Sequence, residues 1–295
     1  MRFFVASALA VFAPLALAAA DALEYKNTAA GQVIKEGVKL RILPIGDSIT
    51  VGYQSSDKNG YRQRLQENLS KNEVVFAGTE HSGSMNDPYH AAWSGRTIKY
   101  ISDSVPQSLK QRPNVVLLHA GTNDMNLNEL ISFEGNDPAG AALRLGALID
   151  KIIAACPDAA VLVAQIINTC DPGQQPGTEV FQKLIPEVVQ KRRDDGHHVL
   201  AVDFAAAGDD ILSKDCIHPD DDGYHKMGDY WYDFITQIPK DWINQPVGDD
   251  PKRSALPSSK AVPGDDSGSG TSDMFKANLA LLFVAQALLS LIFNW

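Results

Sequence analysis

The sequence predicts an α/β protein built on a five-stranded parallel sheet with helices on both faces. Apolar runs of strand length alternate with stretches of helical period five times along the chain. Those runs are almost continuously apolar, as strands covered on both faces must be. The chain has 295 residues, and both of its ends are apolar. The part left to fold is therefore about 220–250 residues, enough for one well-buried domain and short for two.

The first strand is expected over 39–45, where it empties into Gly46-Asp47-Ser48. Within 60–69, Tyr61, Leu65 and Leu69 recur at i, i+4 and i+8, one face of a helix. A second strand follows over 74–78, and a third over 115–118 runs into Gly121-Thr122-Asn123-Asp124. Residues 138–155 read as a helix and 159–167 as the fourth strand. The stretch 180–193 is helical, with Pro186 either kinking it or resetting its first turn. The fifth strand is 199–203, and a helix over 222–238 closes the domain.

The ends have other jobs. Residues 1–20 carry Arg2, an apolar core and the exit series Leu17-Ala18-Ala19-Ala20, the layout of a secretory signal peptide. The catalytic domain is expected over 21–245. A linker rich in Pro, Ser, Gly and Asp follows over 246–273, because that composition cannot bury a core. Residues 274–295 form an apolar tail. Small residues at Ser267 and Gly268, a polar spacer and that tail together read as a GPI-attachment signal. An uncleaved tail anchor is the alternative. The expected location is secreted and GPI-anchored at the cell surface.

Formal net charge is −10 and no basic run exceeds Lys191-Arg192-Arg193. Nucleic acid and anionic membrane surfaces are thus excluded as partners; a membrane is expected only through the lipid anchor. In an oxidising compartment the three cysteines, Cys156, Cys170 and Cys216, allow one disulfide and one leftover thiol. Asn68-Leu69-Ser70 is an N-glycosylation acceptor on a stretch expected to be exposed.

Four motifs sit at strand ends or in the loops that follow: Gly46-Asp47-Ser48, Gly95, Gly121-Thr122-Asn123-Asp124 and Asp215-Cys216-Ile217-His218-Pro219. Open α/β sheets place their ligand crevice at that edge. A Gly-Asp-Ser triplet on its own is as well explained by a turn capping a helix. Together, however, the four supply what acyl transfer needs. Ser48 can attack a carbonyl if His218 removes its proton, and Asp215, three residues away on one loop, can hold the imidazole in the useful tautomer. The Ser48 amide, the Gly95 amide and the Asn123 side chain are candidate donors to the oxyanion. No H-x-x-x-H or H-E-x-x-H spacing points to zinc, and no cofactor is implied. His119 reads as a core histidine, Asp124 as an organiser of neighbouring loops, and Asp220-Asp221-Asp222 as the start of the last helix. The His197-His198 pair reads as a solvated turn. Tyr89 and Trp93 are either a sugar-stacking wall or packing.

These four blocks, in this order, resemble the SGNH, or GDSL-like, hydrolase superfamily. Leu43-Pro44-Ile45-Gly46-Asp47-Ser48-Ile49-Thr50, Gly60-Tyr61-Arg62 and Asp215-x-x-His218-Pro219-x-x-x-Gly223-Tyr224 are most similar to carbohydrate esterase family three. The resemblance spans about residues 39–238. It implies a flavodoxin-like three-layer α/β/α fold with strand order 2-1-3-4-5. It also implies a serine esterase acting on O-acetylated plant polysaccharide, xylan first. A lipid or small-molecule acyl esterase, or a non-catalytic carbohydrate-binding surface protein, are the alternatives. Thr50 stands where the G-x-S-x-G elbow has glycine, which argues against the ordinary lipase fold. Cys216 lies between Asp215 and His218, and Cys170 follows the fourth strand at the same sheet edge, so Cys170–Cys216 is the expected pair.

Overall fold

The computed structural model describes residues 21–253. The expected signal peptide, most of the linker, the attachment residues Ser267 and Gly268 and the apolar tail lie outside the described residues. Among the described residues no helix is long and apolar enough to cross a membrane.

The sheet is organised around β1, Leu40–Gly46, in which every residue is buried. On one side β1 pairs in parallel with β5, Val115–His119. Beyond β5 lie β6, Ala160–Gln165, and β7, Val199–Asp203, both parallel. On the other side two short strands share the place beside β1. Its start pairs with β2, Val74–Phe76, and its last two residues pair with β4, Tyr89–Ala92. A two-residue strand β3, Glu80–His81, runs antiparallel on β4. The expected strand order is therefore present, with its second position split between β2 and β4.

Neither β3 nor β4 was legible as a strand. Tyr-His-Ala-Ala holds no β-branched residue. It becomes a strand because β1 outlasts β2 and leaves backbone groups that need partners. The Gly46 carbonyl is still accepting, from the Trp93 amide, at 3.2 Å.

Side chains alternate across this sheet into two cores. Leu40, Ile42, Val115, Leu117, Leu162 and Val202 face one way. There they meet α2, Tyr61–Asn68, and α7, Asp221–Thr236, around the buried Trp231. Leu43, Ile45, Val116, Leu118, Val161 and Val163 face the other way. That side is covered by α3 (Ile98–Ser104), α4 (Pro106–Leu109), α5 (Pro138–Ala155) and α6 (Gln175–Asp194). Burial on both faces is what the apolar strands require. Tyr61, Leu65 and Leu69 are fully buried, so the stripe read from their spacing is the face α2 turns to the core.

Pro186 does not restart α6, which begins five residues earlier than expected and runs through it. Proline there cannot donate to the carbonyl four residues back. That carbonyl, on Gln182, instead accepts from Gln165 Nε2 at 3.0 Å.

Two expectations of the sequence reading differ from the structure. Residues 246–250 are not free linker, and the compact unit runs to Pro251. The buried Arg41 guanidinium donates to the carbonyls of Val247 and Gly248, each at 3.0 Å, and to Asp250 at 2.8 Å. A buried guanidinium must spend its donors, and this segment supplies the acceptors. Asn68 is the second correction. It is 3% exposed and its Nδ2 donates to Asp229 at 2.7 Å, so the atom a glycan would take is committed inside the fold.

Candidate active site

The carboxyl end of β1 turns sharply into α1, Ser48–Val51, a single helical turn. The turn needs glycine at 46. A Cβ there would lie 2.3 Å from Thr50 Oγ1 and 2.4 Å from the His119 carbonyl. Asp47 caps the turn by accepting from the Ile49 amide at 3.0 Å. It is wholly buried, and this desolvation pushes its carboxyl up to about 7, with the Ile49 amide opposing. Ser48 follows as the first helical residue, 6% exposed.

His218 meets Ser48 from the loop before α7, with Nε2 2.8 Å from Ser48 Oγ. On the other side of the ring, Nδ1 lies 2.7 Å from Asp215 Oδ2. Partial burial raises the Asp215 carboxyl. The amides of His218 and Ile217 and the His218 ring outweigh it and hold the group well below the usual carboxylate range. An ionised Asp215 can only accept, so Nδ1 carries the proton and Nε2 is left to accept from the serine hydroxyl.

The loop is built to hold this geometry. Asp215 Oδ1 accepts from the His218 amide at 2.9 Å and the Ile217 amide at 3.0 Å. The Ser213 amide closes it by donating to the His218 carbonyl at 2.7 Å. Cys216 sits at φ +64°, a left-handed conformation unusual for a side-chain-bearing residue. Two links hold it there: the disulfide to Cys170 and a hydrogen bond from the Cys170 amide to its carbonyl at 3.0 Å. The expected pairing is thus the one present. Cys156 remains a buried thiol, and burial pushes it up to about 11.

The three candidate oxyanion donors follow β1, β4 and β5, three adjacent strands ending at one edge. Gly95 sits in an exposed turn at φ +71°, the region glycine enters without strain. Among the described residues neither its amide nor that of Ser48 donates to a protein acceptor. Asn123 is 9% exposed and its Nδ2 donates to the Arg96 carbonyl at 3.0 Å, which fixes the amide and leaves its second N–H. Asp124 ties the same loops together. It accepts from the Ile98 amide at 2.9 Å and from Arg144 Nη2 at 2.9 Å.

Other readings resolve individually. His119 is fully buried, accepts from the Ile167 amide at 3.2 Å, and is pushed down to about 4 by desolvation. Asp220 caps α7 by accepting from the Gly223 amide at 2.8 Å. Tyr89 belongs to the core cluster, and half-buried Trp93 lies edge-on to Tyr100. Two residues beside the site were not singled out in the sequence. Tyr53 places its ring 4.7 Å from that of His218, and Gln54 Nε2 donates to Asp215 Oδ2 at 3.3 Å. The available signal was Gly52, which ends α1 in a left-handed turn and folds the next residues back over the site.

Comparison with known proteins gives the same class. Residues 45–226, more than half the chain, match the sequence model described as the GDSL-like Lipase/Acylhydrolase family, and the chain belongs to that family. Its folded domain is that of a carboxylic ester hydrolase. A curated relative, the "Multidomain esterase" of Ruminococcus flavefaciens, is 27% identical over 229 residues. The match takes in 66% of this chain but only 28% of that longer protein. Among solved structures, the Clostridium thermocellum family 3 carbohydrate esterase is similar at 27% identity and a TM-score of 0.58. That match covers 68% of this chain and 98% of the other. A carbohydrate esterase family 3 structure from Talaromyces cellulolyticus, at 23% identity, TM-score 0.58 and coverage of 68% and 99%, shares the fold.

Proposed function

We propose that this protein is a serine esterase that removes acetyl or other short acyl groups from carbohydrate, with acetylated plant polysaccharide such as xylan as the first substrate to test. The observation that carries the reading is the continuous relay from Ser48 through His218 to Asp215, at 2.8 and 2.7 Å. Similarity to a family 3 carbohydrate esterase supports the substrate class.

Ser48 Oγ attacks the ester carbonyl while His218 Nε2 takes its proton. Asp215 stabilises the imidazolium by charge and keeps its orientation. Negative charge then develops on the carbonyl oxygen, where the amides of Ser48 and Gly95 and the side chain of Asn123 donate to it. Collapse releases the sugar hydroxyl, protonated by His218, and leaves an acyl-enzyme. Water, deprotonated by the same histidine, attacks the acyl carbon and releases the carboxylic acid. Composition at the two termini supports export and GPI attachment at Ser267 or Gly268; release from cells by a phosphatidylinositol-specific phospholipase tests that location.

The decisive assay is acetate release from acetylated xylan by the full chain beside Ser48→Ala. Release that vanishes in the variant is the expected result. If only nitrophenyl acetate is cleaved, still dependent on Ser48, the mechanism stands and carbohydrate is discarded. Failure on both substrates refutes the enzyme reading.

A further inference from the structure

A half-open groove of about 480 Å³ is lined by Gly95, the start of α3 and the loop joining β5 to α5. That volume lies within the ~300–1,000 Å³ of small-molecule sites and far exceeds what an acetyl group needs. One wall is Tyr100, over whose ring the Arg96 guanidinium sits at 4.5 Å. The other wall carries Leu130 and Phe133, which are 76% and 73% exposed. Large apolar side chains this exposed on one short loop support no core, so their exposure calls for another explanation.

We infer that this groove is the subsite for the sugar chain that bears the acyl ester, with Phe133 as its stacking platform and the Arg96–Tyr100 pair as its polar wall. The inference rests on the carbohydrate esterase reading above. Continuity with Gly95 is the first argument: the groove opens beside a proposed oxyanion donor, at the margin of the site where a bound ester would sit. Its charges are the second. Arg96, Glu134 and the Lys99–Asp103 ion pair line it beside the apolar groups. A fatty acyl tail would strip water from these charges without replacing it. Sugar hydroxyls can donate to the carboxylates and accept from the cations, while the apolar face of a pyranose lies on the phenyl ring. The arrangement therefore selects an alcohol portion that is polar at its edges and apolar on its faces.

The test compares the full chain with Phe133→Ala on acetylated xylo-oligosaccharide, nitrophenyl acetate and nitrophenyl decanoate. Phe133 is exposed, so its removal leaves the core intact. The expected result is a fall of about threefold to tenfold in the ratio of kcat/KM on the oligosaccharide to that on nitrophenyl acetate. The fall should lie mainly in KM and be restored by Phe133→Trp. Ser48-dependent release from the oligosaccharide with an unchanged ratio overturns the subsite and leaves the esterase reading standing. A matching loss on the decanoate alone assigns the groove to an acyl tail and also overturns the proposal. No release from the oligosaccharide by the unsubstituted protein, with Ser48-dependent cleavage of nitrophenyl acetate intact, defeats the carbohydrate reading and the subsite together.

Discussion

Replacing Asp47 by asparagine should change how the stability of this domain depends on pH. Asp47 is wholly buried, and desolvation raises its carboxyl from 3.8 to about 7. Below pH 3.8 the group is protonated folded or unfolded, and its neutral form contributes fully to stability. Between about pH 4 and pH 7 the unfolded chain sheds the proton while the folded chain keeps it, so stability falls as pH rises. Above about pH 7 both states are ionised and the loss is complete. A displacement of that size corresponds to about 4 kcal/mol. At a urea m-value of about 3 kcal/mol/M, it moves the unfolding midpoint by a little over ~1 M. Asp215 does not obscure this. Its carboxyl is lowered, so its contribution is already full above about pH 4 and is lost only on further acidification. Asp124, also raised by burial, is common to both proteins and drops out of their difference. Asparagine keeps the cap on the Ile49 amide and cannot ionise. Urea unfolding from pH 4.5 to pH 8 should therefore show Asp47→Asn gaining on the unsubstituted protein as pH rises. A stability difference that stays constant across that range would refute the reasoning.

Three other outcomes are expected. Asn123→Ala should lower kcat by about 10²–10³-fold with little change in KM, if its free N–H meets the oxyanion; a fall confined to KM would remove it from that role. Replacing Cys170 and Cys216 together by serine opens a link across 46 residues and should cost about 4 kcal/mol on the chain-entropy model. Turnover should fall with it, because the Asp215–His218 loop loses its tie to Cys170; unchanged melting and turnover would show that hydrogen bonds alone hold the loop. Gly46→Ala sets a methyl against the His119 carbonyl and should cost at least about 1–3 kcal/mol; a melting temperature within a degree of the original would contradict the close approach.

Much of this fold is local and was therefore legible. The doubly apolar strands, the Tyr61-Leu65-Leu69 stripe and the caps at Asp47 and Asp220 depend on neighbours within a few residues. The Asp215 and His218 pair is also local, because a single loop folds so that its own amides and ring converge on one carboxylate. Meeting Ser48 across 170 residues followed from both ends lying at the same strand edge. What only the tertiary structure decided are long-range pairings with weak local signals. Tyr89–Ala92 is a strand because β1 has unpaired backbone beside it. Asn68 is buried where α2 packs on α7, its Nδ2 reaching Asp229 far along the chain. Residues 246–250 are ordered because Arg41 is buried and must spend its guanidinium on their carbonyls. In the same way, the exposure of Phe133 beside Gly95 depends on where a loop comes to rest against α3. Periodicity and motif spacing report what a segment demands of its immediate neighbours; which distant segment answers a buried polar group is settled only when the chain is packed.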